Sequence, residues 1–485
     1  AAGCAPLPSA HTGSRYARHA PERTLLYALV EAHYPDFIAR IEAEGRSLPG
    51  YVREAFDAYL RCGVLEHGFL RVVCEHCRAE RLVAFSCKKR GFCPSCGARR
   101  MAESARHLVE EVFGPGPVRQ WVLSFPYPLR FLFASKPEAI GPVLGIVQRV
   151  IAGWLADQAG IDRASAQCGA VTLIQRFGSA LNLNIHFHML WLDGVYVEAT
   201  ELPRRELRLH RARAPTTAQL TQLAATIAHR VCRHLTRKGW LEGEGESAFL
   251  ADSAAGDDSM DGLRMSSITY RIATGRDAGC KVVTLQTLPG DAGSLEGEAG
   301  KVGGFSLHAG VAAEAHESHK LEKLCRYITR PAISEKRLSI ALQGRVRYQL
   351  KTPWRNGTTH VEWDPVDFIA KLAALVPPPR AHLTRFHGVF APNAALRAQL
   401  TPSGRGRRHY AAAEPADARA NDAPRSPEEK RRSMSWAQRL KRVFSIDVTA
   451  CVHCGGTVRI VASIEEPAAI RAILAGGKRG EVYNV

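Results

Sequence analysis

Two histidines one residue apart, His186 and His188, stand in the run LNLNIHFHML. On a strand of period two both imidazoles point to one face, together with Asn182 and Asn184. Ile185, Phe187 and Met189 take the opposite, apolar face. Such a pair can grip a divalent metal, or it can be two polar residues on a solvated face. The preceding strand-like run carries Gln175, which sits across the hairpin and can supply a third ligand. Two imidazoles and one amide leave coordination positions open, and a metal held that way can take a phosphate oxygen and polarise a phosphodiester. Imidazole favours Mn²⁺ on chemical grounds, whereas cellular abundance favours Mg²⁺.

A polarised phosphodiester still needs a nucleophile. Tyr327, in LEKLCRYITRPAIS, is the best placed. Leu321, Leu324 and Ile328 recur at helical spacing and form a stripe to be buried, while Tyr327 and Lys323 share a neighbouring face. Arg326 and Arg330 can bind phosphate and ease formation of a phenolate. A single tyrosine on a helix can equally be a packing residue.

The cysteines suggest a second kind of metal. Cys74-x2-Cys77 and Cys93-x2-Cys96 are separated by 15 residues, and two such turns joined by a hairpin complete a tetrahedral four-thiolate zinc site. Cys87 or His76 can replace one ligand. Four protein ligands leave no open position, so this zinc is structural. Cys451-x2-Cys454 is half of a possible second zinc site. Lys88, Lys89, Arg90, Arg99 and Arg100 flank the first, as phosphate contacts or as a solvated rim. Thirteen cysteines, an odd number without an export signal, argue against a disulfide framework.

These groups need elements to hold them. The sequence predicts helices within 24–66, a buried strand from Trp121 to Phe125, a helix over 137–158 and a hairpin with strands 170–177 and 183–192. A basic helix follows at 216–238. Short strands are expected at 268–273 and 281–287, a helix over about 311–329 and a strand over 338–352. That strand alternates Arg345, Arg347, Gln349 and Lys351 with Val346, Tyr348 and Leu350. Its basic face can track a phosphate backbone, with Trp354 and Arg355 stacking a base, or it can be a charged edge strand.

The formal net charge is 65 − 47 = +18, which favours a polyanionic partner, nucleic acid first. No membrane-spanning run of about 18 apolar residues is read. The first twenty residues lack an apolar signal core, so a cytoplasmic, nucleoid-associated protein is expected. At 485 residues several domains are expected. The segments are a helical region 1–73, a zinc module and its following helix 74–118, a catalytic domain 119–400, a linker 401–434 poor in apolar residues and a C-terminal module 435–485. The class is α+β with an antiparallel sheet.

The segments FSCKKRGFCPSCGARR, QWVLSFPYPLR, GSALNLNIHFHMLWLDGVY, LCRYITRPAIS, LKTPWRNGTTH, LVPPPRAHLTRFHGVFAPN and MSWAQRLKRVFSIDVTACVHCGG occur in this order. In them the chain resembles the rolling-circle transposases of the insertion sequence 91 family and their common-region relatives. These belong to the HUH endonucleases, named for His-hydrophobic-His. The resemblance implies a ferredoxin-like (RRM-like) catalytic sheet, a metal on His186 and His188, and Tyr327 as nucleophile. It implies cleavage of single-stranded DNA at the ends of a mobile element, a 5′-phosphotyrosine link, a free 3′-OH and transfer to target DNA. Some members carry two tyrosines four residues apart; here that position is Lys323, so the chain resembles the single-tyrosine branch. A second cleavage then needs another protomer of a homodimer, a resetting step or another nucleophile. Related replication proteins often have Lys three residues after the tyrosine, where this chain has Arg330. A replication initiator or relaxase-like nickase, and a non-catalytic zinc-containing DNA-binding protein, are the alternatives.

Overall fold

A computed structural model describes residues 20–114, 116–199, 206–243, 249–251, 258–287, 299–402, 451, 453–475 and 481–484. All but the first two positions of the expected linker 401–434 lie outside the described residues. The chain divides into two compact units, Ala1–Arg23 with Arg61–Cys87 and Ser433–Val485, and Thr24–Leu60 with Lys88–Arg432. The segment expected as a helical region therefore contributes to both.

The larger unit is built on seven elements: β1 (Val118–Ser124), α1 (Ile140–Ala159), β2 (Gly169–Phe177), β3 (Leu183–Leu192), α2 (Thr217–Arg237), β4 (Phe305–Ala313) and α3 (Ser318–Thr329). The four strands lie in the order β4-β1-β3-β2, every pair antiparallel. This is the ferredoxin-like βαββαβ arrangement. Ala299–Val302 extends the β4 edge and Thr384–Gly388 the β2 edge.

Strand β3 is buried on both faces. Ile185, Phe187, Met189 and Trp191 join Trp121 and Leu123 of β1, and Phe125 just past it, beneath α1 and α2, in the main apolar core. The alternate residues Leu190 and Leu192 join Val171 and Leu173 beneath α3, with Leu321, Leu324, Cys325 and Ile328. Helix α2 begins at a capping box: Thr216 Oγ1 accepts from the Gln219 N–H, and Gln219 Oε1 accepts from the Thr216 N–H. Helix α3 ends at Arg330, ahead of Pro331, since the residue before proline avoids helical torsions.

Three expected elements differ. The helix expected over 311–329 begins only at Ser318, because Phe305, Leu307 and Ala309 alternate inward and make residues 305–313 a strand on β1. The strand expected over 338–352 is two, Leu338–Ile340 and Val346–Gln349, split by a turn in which Gln343 and Gly344 have φ of 65° and 75°. In place of the strand expected over 268–273, a helix, Asp261–Ile268, ends at its first residue, and Arg271 makes only an isolated antiparallel bridge to Lys281. Among the described residues one helix, Pro137–Ala159, is long and apolar enough to cross a membrane by length and composition. It is the helix expected over 137–158, which was not read as a membrane span. In this fold its apolar side chains, including Val143, Val147 and Ile151, lie in the main core.

In the smaller unit an antiparallel hairpin, Phe69–Cys74 and Glu80–Ala84, is flanked by Val458–Ile464 on one side and Glu481–Asn484 on the other. The pairing sets Cys74 opposite Val458, which brings the distant CxxC turn of residues 451–454 beside that of residues 74–77.

Arg119 of β1 and Asp193, just past β3, form a buried two-pronged ion pair, both contacts 2.7 Å. Arg119 also donates to the Ala309 carbonyl of β4, so one guanidinium ties three strands. Asp193→Ala strands that cation and is expected to cost about 3–5 kcal/mol. Urea unfolding measures it, and a loss under about 1 kcal/mol would show that the pair contributes little net stability.

Candidate functional site

The register sets the site on the α3 face of the sheet. Ser124 and Gln175 flank His186, while Val122 and Leu173 flank His188. The two imidazoles are 8% and 4% exposed, and their Nε2 atoms face each other at 3.1 Å. Each ring is held from behind. His186 Nδ1 donates to the Asn184 carbonyl at 2.9 Å, and His188 Nδ1 lies 3.0 Å from Gln120 Nε2. The proton count is consistent: His186 uses its N–H at Nδ1, so His188 donates from Nε2 and accepts the Gln120 amide at Nδ1.

Burial pushes both imidazoles down. His186 falls to about 4, with Arg330 and Arg130 adding repulsion. His188 falls to about 2, with His186 and Arg330 adding to burial. Both rings are therefore neutral near pH 7, the form that ligates metal.

The residues fit a divalent ion. Gln175 donates its amide N–H to the Ile328 carbonyl at 3.2 Å, which leaves Oε1 buried without a hydrogen-bond partner, as Asn184 Oδ1 also is. For both Nε2 lone pairs to face an ion, the His188 proton moves to Nδ1 and the Gln120 amide turns over to accept it. Gln120 is the residue that the sequence reading missed. Its only signal was a polar side chain at a buried position of β1, on the face it shares with Val122 and Ser124.

Tyr327 stands over this pair. Its ring meets His188 edge to face, centroids 5.9 Å apart, and 38% of the residue is exposed. The Arg330 guanidinium and the Lys351 ammonium each lie 4.3 Å from the ring centroid. Arg330 is anchored by donation to the Tyr327 carbonyl at 2.8 Å. A cavity of about 300 Å³ opens from Gln175 and Arg330 and is lined also by Lys89, Arg90, Arg100 and Arg176. No carboxylate lines it. Arg176 is buried with Nε and one terminal nitrogen unpartnered.

The other expected contacts are scattered. Lys323 and Arg355 are exposed. Arg326 is paired with Glu322 at 2.6 Å. Arg345 and Arg347 both turn to Glu362, and Lys89 pairs with Glu54 at 3.0 Å. Lys88 is exposed, and Arg90 donates to the Ala381 carbonyl at 2.7 Å. Trp354 packs edge to face on Tyr270, centroids 5.4 Å apart.

The cysteines group differently from their spacing. Cys74 and Cys77 are joined by Cys451 and Cys454, not by Cys93 and Cys96, and the four sulfurs lie within 4.8 Å of one another. Two cross-contacts are 3.4 and 3.6 Å, near the roughly 3.8 Å edge of a tetrahedron with zinc–sulfur bonds of about 2.3 Å. The backbone N–H of Cys77 holds the Cys74 thiol down at about 6, in its metal-binding form at neutral pH. A Cβ on Gly456 would stand 3.3 and 3.4 Å from two of the sulfurs and 2.8 Å from His76 Cβ. Cys93 and Cys96 instead open the helix Pro94–His107, both buried, and the Cys87 N–H donates to Cys62 Sγ at 3.2 Å.

A family model described as "Putative transposase" matches residues 169–397, and one described as "Transposase zinc-binding domain", of the insertion sequence 91 type, matches residues 29–125. The first match holds Gln175, His186, His188 and Tyr327, and the second holds six cysteines. Searches of the curated proteins and of the solved structures gave no match. With the zinc-binding domain preceding the transposase region along one chain, the two matches support a transposase of the insertion sequence 91 family.

Proposed function

We propose that this transposase is a single-tyrosine HUH enzyme that cuts and rejoins single-stranded DNA. The observation that carries this is the convergence of the two His Nε2 atoms beside an unpartnered Gln175 Oε1, with Tyr327 set edge-on against His188. His186, His188 and Gln175 would hold Mg²⁺ or Mn²⁺, which when bound supplies positive charge to a phosphate oxygen.

The chain's own residues do the rest. The Tyr327 oxygen attacks phosphorus, and a P–O bond forms as the bond to the 3′ oxygen breaks. The phenolic proton is given up and the leaving 3′ oxygen takes one, so the products are a 5′-phosphotyrosine and a 3′-OH. Arg330 and Lys351, over the ring, stabilise the charge that builds on the phosphate. The basic cavity beyond Gln175 takes the strand's backbone, with Lys89 and Arg90 at its rim and Lys88 next to them in sequence. Arg345, Arg347, Trp354 and Arg355 are the second set of backbone and base contacts, and Lys323 and Arg326 lie on the tyrosine's own helix. Attack by a 3′-OH of target DNA on the phosphotyrosine reverses the chemistry and completes transfer, in a rolling-circle scheme. With one nucleophilic tyrosine per chain, the second cleavage falls to a second protomer of a homodimer. Structural zinc is held by Cys74, Cys77, Cys451 and Cys454.

The direct test is covalent capture of labelled single-stranded oligonucleotides from the element's ends, with Mn²⁺, on a denaturing gel. Wild type is expected to give a shifted adduct, with none from Tyr327→Phe, which still binds the oligonucleotide, or from His186→Ala. An adduct from Tyr327→Phe would remove that tyrosine as sole nucleophile, and an undiminished Mn²⁺ response in His186→Ala would sink the metal site. Gln120→Ala is expected to weaken Mn²⁺ binding about 10–100-fold in calorimetric titration, and unchanged affinity would mean that Gln120 does not orient His188. Cys451→Ser is expected to lose one equivalent of zinc by elemental analysis and to lower the melting temperature. Full zinc retention would refute the four-cysteine set.

A further inference from the structure

The basic helix that the reaction does not use is α2. Residues 216–240 contain no acidic residue, and His229, Arg230, Arg233, His234, Arg237 and Lys238 crowd its second half. The apolar positions Leu223, Ile227, Val231 and Leu235 are buried in the main core, so the helical period turns the cations outward. Arg149 of α1 meets them across a groove of about 500 Å³ whose floor is Pro142, Gly145 and Ile146. Arg149, Arg230, Arg233 and Arg237 are exposed, and none has a carboxylate partner among the described residues. His234 Nε2 is buried without a hydrogen-bond partner. Burial and the neighbouring Lys238, Arg237 and Arg149 hold that imidazole below its ordinary range, a sign of uncompensated positive potential.

Three features define the ligand. Four guanidinium groups without counter-charges suit phosphates, which they meet as forks. Among the described residues no Phe, Tyr or Trp lines the groove, whereas single-strand binders stack bases chiefly on such rings. The groove also lies on the far side of the sheet from Tyr327: α1 and α2 cover the Phe187 face, and α3 covers the His186 face. A helix about 10–12 Å thick and the sheet separate the two, so one DNA segment does not thread both directly.

We infer that the groove between α1 and α2 seats the phosphate backbone of double-stranded DNA, separate from the strand being cut. Arg230 and Arg237 are about 10 Å apart along the helix axis. A duplex presents about six phosphates over that length, so one strand can meet three or four cations. The seat would hold duplex beside the reacting strand, flanking or target, without reading its sequence. That DNA is the partner follows from the family; the inference does not require the tyrosine chemistry.

The test uses the full chain and a blunt duplex that lacks the element's ends, followed by fluorescence anisotropy over a series of salt concentrations. The variant Arg230→Gln/Arg233→Gln/Arg237→Gln is expected to lose at least about tenfold in affinity near 100 mM salt. Its slope of log K against log salt should flatten by about 2–3, with an unchanged melting temperature and an unchanged adduct yield on single-stranded ends. Arg233→Glu alone is expected to give a smaller loss of the same kind. Unchanged duplex affinity and slope would overturn the inference, leaving the patch a solvated surface. So would parallel loss of the single-strand adduct, which would assign the groove to the reacting strand. Loss of binding to phosphatidylserine vesicles with duplex binding intact would also overturn it, in favour of a lipid surface. If the wild-type chain forms no adduct at all, the tyrosine reading fails while the duplex titration still decides this one.

Discussion

The catalytic unit depends on one constraint, the two-residue alternation of a strand buried on both faces. Along β3 the odd positions from Ile185 to Trp191 must be apolar to pack beneath α1 and α2. The even positions are then committed to the opposite face, where His186 and His188 lie between β1 and β2. A slip of one residue would put Phe187 in the site and the imidazoles in the core. The same packing that stabilises the sheet therefore aims the two rings, and burial keeps them neutral.

Helix α3 completes the site by the same logic at a different period. Leu321, Leu324, Cys325 and Ile328 seat the helix on the sheet, which leaves Tyr327 at the edge of that contact, partly exposed and against His188. Pro331 ends the helix one residue after Arg330, so the guanidinium turns back over the tyrosine ring. The positive charge near the ring comes from two places: Arg330 from the helix end and Lys351 from the bend that follows the strand Val346–Gln349.

Charge is distributed on both sides of the sheet, with different neighbours. Around the site, cations border a cavity that leads to Gln175, and several of the more remote ones are paired, Arg326 with Glu322 and Arg345 and Arg347 with Glu362. On the helical side, the arginines of α2 have no carboxylate partner among the described residues. The first arrangement suits a flexible strand brought to a reactive centre. The second suits a stiff polyanion resting on a surface.

The sequence by itself determined what local pattern can determine. The His-Phe-His step, the apolar stripe around Tyr327, the hairpin and the helices over 137–158 and 216–238 were legible, because periods of 2 and 3.6 depend on neighbours in the chain. The boundary of α3 was misread because Val311 and Ala313 suit a helix as well as a strand, and only pairing with β1 settled them. The cysteine grouping was beyond reach for a stronger reason. Spacing joined Cys74 and Cys77 to Cys93 and Cys96, but the β-pairing of Phe69–Cys74 with Val458–Ile464 delivers Cys451 and Cys454 instead. Gln120 and Lys351 likewise reach the site only through tertiary contacts. Which residue types line up on one face is a property of the chain; which distant segments share a sheet or a cavity is set by long-range pairing and burial, and no local spacing encodes it.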